Sequence, residues 1–270
     1  MAIGELLRHW RGVRSVSQLA LALEAQTTAR HVSFIETGRS QPSRAMVLRL
    51  ARVLDVPVRE RNQLLHAAGY APIYSEAGLE ADDAALVKSA LQRMLAVHEP
   101  YPAVVLDRYW NIVDRNEAAR AFFGWLMGER ADGGPGNLVL NFFDPDRLRP
   151  YIANWDEAAD VLLQRVHREA VGGVPDARTT ALLDEALAFP GVPPAWRVPD
   201  FGRPLLPVVP VRFRRDGRTF SYFSAVTTLG TPQDAMLQEI RVESLYPADA
   251  ETASAAPGAG SRSPAGTSGD

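Results

Sequence analysis

Closely spaced helix start and stop signals divide the first 70 residues into short segments, each with a helix-period hydrophobic pattern. Ser17, Thr28 and Ser43 are placed to cap the starts of helices, and Gly38 and Gly69 are placed to end them. No strand-like alternation interrupts this stretch. Five short helices in succession predict a compact all-α domain.

The hydrophobic period changes in the second part of the chain. Asp216-Gly217 separates two alternating segments, Val208–Arg215 and Arg218–Thr228, and is a preferred dipeptide of two-residue hairpin turns. This loop length predicts a register that pairs Phe213 with Phe220 and Val211 with Tyr222 on one buried face. The other predicted elements are helices at about 82–98, 116–126, 156–170 and 178–187, and strands at 103–106, 109–113 and 240–243.

These elements predict an α+β protein with two domains. An N-terminal five-helix domain covers 1–72, and a linker with a connecting helix covers 73–99. An antiparallel-sheet domain with covering helices covers 100–249, and the Ala-, Ser-, Gly- and Pro-rich tail 250–270 is expected to be disordered. The apolar stripe of the connecting helix must pack on the sheet domain or against a second subunit.

Composition and charge exclude several classes of protein and favour one that binds nucleic acid. The chain has no cysteine, which excludes disulfides, thiolate nucleophiles and Cys-ligated metals. No apolar run is long enough to span a membrane, so we expect a cytoplasmic protein. Residues 1–75 contain ten arginines against five acidic residues, whereas the whole chain has a net charge of −3. A basic head on an acidic body is typical of a nucleic-acid-binding module joined to a regulatory domain.

The segment from Gln18 to Ile35 has the spacing of a helix-turn-helix. Leu21-Ala22 lets a following helix cross closely, and Val32 and Ile35 supply the buried edge of that helix. With Ser17-Gln18, Ser33-Phe34-Ile35-Glu36-Thr37-Gly38-Arg39 and Pro42-Ser43, residues 3–70 resemble the phage-repressor-like XRE family of DNA-binding domains. One departure is Gln26, at the turn position where the family commonly has glycine.

The resemblance implies which residues contact DNA. The exposed start of the second helix of the motif enters the major groove, which places Thr28, Ala29, Arg30 and Phe34 there. Arg30 is the expected base reader, because a guanidinium binds guanine with two hydrogen bonds, while Ala29 and Phe34 offer apolar contact to thymine methyl groups. Phosphate contacts are expected from Gln18, Thr28, Arg39 and Arg44. The alternative is that these arginines form an ordinary solvated face.

Arg11 and Glu36 match a pair that bridges the first and third helices in the family. We expect them to have this structural role here rather than to contact DNA.

No catalytic signature is present. The chain lacks the Gly-x-Ser-x-Gly, P-loop, dinucleotide-binding and His-Glu-x-x-His motifs, and its five histidines are scattered. We therefore expect no enzyme activity, no metal and no cofactor.

The sheet domain is rich in aromatic side chains, and a small curved sheet under helices commonly leaves an apolar cavity. The candidate wall residues are Trp110, Phe122, Val211, Phe213, Phe220 and Tyr222. The order of elements from Trp110 to Phe123-Gly124 resembles the start of a PAS-like domain. With Tyr101-Pro102-Ala103, Asn154-Trp155, Phe189-Pro190-Gly191-Val192-Pro193 and Thr228-Leu229-Gly230-Thr231-Pro232-Gln233-Asp234, residues 100–247 resemble the ligand-binding domain of MmyB-like transcription regulators. This implies a pocket for a fatty-acid-like molecule.

The sequence therefore predicts a bacterial DNA-binding regulator, homodimeric on an inverted-repeat operator in double-stranded DNA, whose C-terminal domain senses a small apolar ligand or dimerises. The alternative is a DNA-binding protein whose C-terminal domain only dimerises or binds a protein, with no effector. An enzyme is the third interpretation, and an acid/base pair lining the cavity would favour it.

Overall fold

The structure is a computed structural model, and it describes residues 1–75, 79, 84–128, 136–171, 176–198, 209–229 and 234–255. The chain divides into two compact units. The first comprises Met1–Ala84, Glu169–Asp176 and Leu229–Glu239, and the second comprises Ala85–Arg168, Ala177–Thr228 and Ile240–Asp270. The predicted α+β class is confirmed.

The first unit begins with the five predicted helices, which are α1 (Ile3–Val13), α2 (Gln18–Glu24), α3 (Ala29–Glu36), α4 (Arg44–Val53) and α5 (Val58–Ala67). The hydroxyl oxygens of Ser17, Thr28 and Ser43 each accept a hydrogen bond from the backbone amide three residues later, at 3.1–3.2 Å. The three predicted caps are therefore confirmed. The core between these helices includes Leu7, Trp10, Leu21, Val32, Ile35, Leu50, Leu54 and Leu65.

Two backbone features bring α1, α2 and α3 together. Gly4 lies where α1 crosses α3, and a Cβ atom there would be 2.5 Å from the carbonyl oxygen of Glu36, so only glycine fits. Gln26, in the turn before α3, has a φ of 52°. The turn is thus left-handed although its residue is not glycine, which costs about 1–2 kcal/mol.

The second unit is built on a five-stranded antiparallel sheet in the order β2-β1-β5-β4-β3. Its strands are β1 (Ala103–Leu106), β2 (Ile112–Arg115), β3 (Val211–Arg215), β4 (Arg218–Thr228) and β5 (Arg241–Pro247). The predicted hairpin register is confirmed, and Asp216 and Gly217 have φ values of 51° and 74°, as a type I′ turn requires. The last strand in sequence occupies the middle of the sheet.

The helices of this unit up to Ala188 are α6 (Ala85–Val97), α7 (Glu117–Met127), α8 (Leu138–Phe143), α9 (Trp155–Val171, which continues into the first unit) and α10 (Ala177–Ala188). Of these five, all except α8 were predicted, with ends within a few residues. Residues 82–83 of the predicted connecting helix and Val208 of the predicted hairpin lie outside the described residues.

The prediction of a strand at 109–113 was wrong for its first half. The carboxylate of Asp107 accepts hydrogen bonds from the backbone amides of Tyr109 and Asn111, at 2.8 and 2.9 Å. Trp110 between them has a φ of 65°. A side chain therefore holds this segment as a turn, and pairing with β1 begins only at Ile112.

A segment far along the chain belongs to the first unit. The short helix α11 (Ala235–Gln238) packs on α5, where Arg59 binds the carboxylate of Glu239 with Nε and Nη2 at 3.0 and 2.9 Å. The side chain of Gln238 accepts a hydrogen bond from the Val58 amide at 2.8 Å. Sequence reasoning did not predict this contact, because its partners are 180 residues apart.

The last described helix, α12 (Ala250–Ala255), lies within the segment expected to be disordered. Asp249 accepts a hydrogen bond from the backbone amide of Thr252 at 2.7 Å, and the Thr252 hydroxyl accepts one from the amide of Ser221 at 2.9 Å. Thr252 is buried, so one polar side chain docks this turn on β4 without an apolar stripe. The expectation of disorder was therefore wrong for 250–255, and 256–270 lie outside the described residues.

Candidate functional site

The exposed side of α3 carries a stack of two guanidinium groups on one aromatic ring. The Arg30 and Arg39 guanidinium carbons lie 5.2 and 6.0 Å from the centre of the Phe34 ring. Both arginines are exposed and Phe34 is half-buried. The cation–π contacts hold both guanidinium groups near the same ring. Three of the predicted DNA-contacting residues are therefore brought together on one surface.

This surface is positively charged. Within the described ranges, no carboxylate lies within 4.0 Å of the side chains of Arg30, Arg39 or Arg44. Arg14 and Arg59, in contrast, pair with Asp55 and Glu239 elsewhere in the first unit. The unpaired charges of the helix-turn-helix motif are thus concentrated around α3 and the start of α4.

Glu36, at the end of α3, is the centre of a buried polar cluster. Its Oε1 accepts a hydrogen bond from Arg11 Nε at 2.8 Å, and its Oε2 accepts one from Arg11 Nη2 at 3.2 Å. Burial raises the pKa of Glu36, but the hydrogen bonds from Arg11 and Gln18 outweigh it and lower the pKa below its ordinary value. The hydrogen bond to Glu36 in turn raises the pKa of Arg11. The pairing predicted from the sequence is present.

The remaining predicted DNA contacts have mixed environments. The Gln18 amide nitrogen donates to Glu36 Oε2 at 2.7 Å, so this side chain is engaged within the domain. The Thr28 hydroxyl is the cap of α3, and Ala29 packs partly against the core. Arg44 is exposed at the first position of α4. Gln18 and Ala29 are therefore less accessible than Arg30 and Arg39.

The second unit contains a cavity of about 160 Å³ between the sheet and α7, α8 and α9. Most of its walls are apolar. Phe123 and Met127 come from α7, and Val161 and Leu162 come from α9. The sheet contributes Val104, Ile112, Val211, Phe213 and Leu245. An engineered apolar cavity of about 150 Å³ binds benzene, so this cavity has room for a compact apolar group.

Four charged side chains interrupt the apolar lining. Arg115, Arg147, Arg165 and Glu243 reach the cavity, and Arg165 Nη1 lies 3.6 Å from Glu243 Oε2. Glu243 Oε2 is buried and, among the described residues, no donor is within hydrogen-bond distance of it. The lining thus carries three arginines and one glutamate, and Arg147 Nε also lies 3.8 Å from Asp144 Oδ2. The aromatic composition did not indicate these residues, which come from β2 (Arg115), the segment after α8 (Arg147), α9 (Arg165) and β5 (Glu243).

Two of the six predicted wall residues, Val211 and Phe213, line the cavity. Phe122, Phe220 and Tyr222 instead pack together beside it, with the Phe122 ring centre 5.5 Å from each of the other two. Burial raises the pKa of Tyr222 to about 12. These three residues form a solid aromatic cluster rather than cavity wall.

Trp110 is buried beneath two arginines. The guanidinium carbons of Arg241 and Arg165 lie 3.9 and 4.6 Å from the centre of its ring. Trp110 therefore supports Arg165, which itself reaches the cavity, but is not among the cavity-lining residues.

The other polar candidates have structural environments. His98 and His167 lie at 2.8 and 3.3 Å from the backbone carbonyl oxygens of Leu245 and Trp196. Burial lowers the pKa of His167, against the effect of the carbonyl. In the part of the chain that the structure describes, no group of three His, Asp or Glu residues is placed to hold a metal ion. Within the same part, every helix is too short or too polar to cross a membrane.

Together, the helix-turn-helix with its positive α3 surface and the separate domain with an internal cavity define a DNA-binding transcription regulator with a ligand-binding domain. Comparison with protein families agrees. Residues 2–64 match the helix-turn-helix domain, and residues 87–256 match the MmyB-like transcription regulator ligand binding domain. The chain belongs to the family of MmyB-like transcription regulators. No curated protein matches it significantly.

Proposed function

We propose that this regulator reads its operator with the α3 surface. Arg30 contacts a guanine in the major groove, and Phe34 contacts a neighbouring thymine methyl while it orients Arg30 and Arg39. Arg39, Arg44 and the amide end of α3 at Thr28 hold phosphates, with Gln18 and Ala29 at the edge of the contact. The observation that supports this assignment is the stack of Arg30 and Arg39 on Phe34, free of carboxylate partners.

A single small module makes few phosphate contacts and binds weakly, so we propose that two copies bind together. The operator is then an inverted repeat with half-site centres about 10 base pairs apart, or a multiple of that spacing. The protein would act in the bacterial cytoplasm. Footprinting should show two protected half-sites, and a single unrepeated site bound by a monomer would contradict the proposal.

The cavity of the second unit is proposed to hold an apolar chain with an anionic head. The apolar walls between α7 and α9 suit the chain, and the lining arginines Arg115, Arg147 and Arg165 suit a carboxylate. A volume of about 160 Å³ favours a short chain, or requires the walls to move apart for a long one.

The test compares ligands that differ only in the head. Octanoate and octanol have the same chain, and thermal unfolding should show a larger rise in Tm with octanoate. Arg165→Gln should remove most of that difference and weaken octanoate binding about tenfold or more, which corresponds to about 1.4 kcal/mol. Arg197→Gln, at an exposed position outside the cavity, is the matched control. If octanoate, octanol and longer fatty acids all leave Tm unchanged, the C-terminal domain does not sense an apolar ligand, and a second candidate function applies.

That second function is a DNA-binding protein whose C-terminal domain only dimerises or binds another protein. The small volume of the cavity is the observation in its favour.

A further inference from the structure

Among the described residues, half of the strand β4 has an edge without a partner strand. β3 pairs with β4 only from Arg218 to Tyr222, whereas β5 pairs with it from Tyr222 to Thr228. On the side of β3, the segment Phe223–Thr228 therefore continues without a neighbour in any described part of the chain. We call this segment the open edge.

The hairpin register determines which backbone groups the open edge presents. In a two-residue hairpin the residues flanking the turn exchange both backbone hydrogen bonds, and every second residue along the strand does the same. Arg218, Phe220 and Tyr222 therefore face β3. By the same alternation, the N–H and C=O groups of Ser224, Val226 and Thr228 point outward from the sheet.

In its own sequence and in the part of the chain that the structure describes, the open edge lacks the usual protections against pairing. Residues 224–228 are exposed on both faces of the strand, and 42% of Val226 is accessible. The sequence contains no charged residue between Arg218 and Asp234, and no proline before Pro232. Natural sheets normally block an exposed edge with lysine, proline, a bulge or a covering element. An edge left open in a strand rich in β-branched residues is suited to accept another strand.

We propose that the open edge is where two copies of this chain meet, by antiparallel pairing of β4 with β4 of the second copy. This rests on the homodimer in the proposed function and names its interface. A two-fold axis through Val226 pairs Val226 with its own copy and Ser224 with Thr228. All outward-facing backbone groups then find partners, no like charges oppose each other, and the two sheets become continuous.

A second copy suits this edge better than an unrelated partner. Self-pairing requires a segment whose residues tolerate their own copies directly opposite, and the small, neutral side chains of residues 224–228 meet that requirement. It also gives the two-fold symmetry that an inverted-repeat operator requires.

Charge substitutions at Val226 test the pairing in the full-length protein. Val226→Lys and Val226→Glu each place like charges opposite each other, so each should weaken the dimer at least tenfold by sedimentation velocity. An equimolar mixture of the two variants should restore a dimer, because opposite charges then face each other. Thr219→Glu is the matched control, since Thr219 is an exposed position of β4 that already pairs with Arg214 of β3, and this variant should leave the dimer intact.

Cysteine substitution gives a second, independent readout. The chain has no cysteine, so Val226→Cys introduces a single thiol. Residues directly opposite in a hydrogen-bonded antiparallel pair have Cα atoms about 5.5 Å apart, within disulfide range. Mild oxidation should give a covalent dimer of Val226→Cys and none of Thr219→Cys.

Three outcomes would overturn the proposal. A wild-type chain that stays monomeric at all concentrations removes the dimer as well as its interface. A dimer that survives Val226→Lys and Val226→Glu removes only the interface and leaves the proposed dimer. Lysine and glutamate variants that each weaken the dimer but do not restore it when mixed show that Val226 does not lie opposite its own copy, which removes the proposed pairing.

Discussion

Arg11 and Glu36 face each other across the crossing of α1 and α3, and both hydrogen bonds between them place a charged donor on a carboxylate whose side chain is only 1% exposed. The crossing is close because Gly4 has no side chain. The pair therefore joins α1 to the end of the helix that carries the DNA-contacting residues. Its geometry is the basis of the first two predictions.

Removal of one partner should destabilise the helical domain strongly. Arg11→Ala leaves the buried carboxylate with Gln18 and with the exposed Arg8, whose Nε lies 3.9 Å from Glu36 Oε2, and we expect a loss of about 3–5 kcal/mol in the free energy of unfolding. Urea unfolding of Arg11→Ala, Glu36→Gln and the double variant gives the coupling energy. Additive losses in this double-mutant cycle would show that the two groups do not interact.

The same pair should make stability depend on acidic pH. The folded pKa of Glu36 is lowered from its ordinary value of 4.5, so the folded state favours the ionised form. This contribution to stability is fully present above the unfolded pKa and is lost as pH falls through the folded pKa. The urea midpoint of the wild type should thus fall more steeply below about pH 4.5 than that of Glu36→Gln. Parallel curves for the two proteins would contradict this.

Arg30 and Arg39 should affect DNA binding differently although they share one aromatic ring. Arg30→Ala should cost about 1–3 kcal/mol on the operator and relax the preference at one base pair. Arg39→Ala should weaken all sequences alike and reduce the salt dependence of binding. Titrations of the operator and of single-base variants at several salt concentrations measure both effects. Equal, sequence-independent losses would assign Arg30 to a phosphate.

Gln26→Gly should stabilise the helix-turn-helix. The left-handed φ of 52° costs a residue with a Cβ about 1–2 kcal/mol. Glycine avoids this cost, but its greater chain entropy in the unfolded state offsets the gain by about 0.5–1 kcal/mol. We expect a net gain of up to about 1 kcal/mol in urea unfolding. Glu24→Gly, within the adjacent helix α2, should instead destabilise the domain and serves as the control. A loss of stability in Gln26→Gly would show that the side chain contributes elsewhere.

Phe213→Trp should fill part of the cavity and remove the effect of a ligand. A tenfold change in operator affinity requires the ligand to favour one arrangement of the protein over another by about 1.4 kcal/mol. The variant should therefore lose both the octanoate-induced rise in Tm and any change in operator affinity, while it still folds and binds DNA. Val161→Phe fills the cavity from α9 and should act in the same way. Retained ligand effects in both variants would place the ligand elsewhere.

The sequence by itself determined the features that depend on neighbours a few residues apart. The caps at Ser17, Thr28 and Ser43, the helix-turn-helix spacing and the register of the β3–β4 hairpin all follow from local hydrogen bonds and turn geometry, and each is present. Only the tertiary structure decided which distant faces meet. In the folded protein the Gln18 side chain donates to Glu36, and β5 lies in the middle of the sheet. Arg165 and Glu243 line a cavity whose position the aromatic content alone did not predict. Such contacts depend on packing between segments far apart in the chain, where many pairings satisfy the same hydrophobic pattern, so periodicity alone does not select among them.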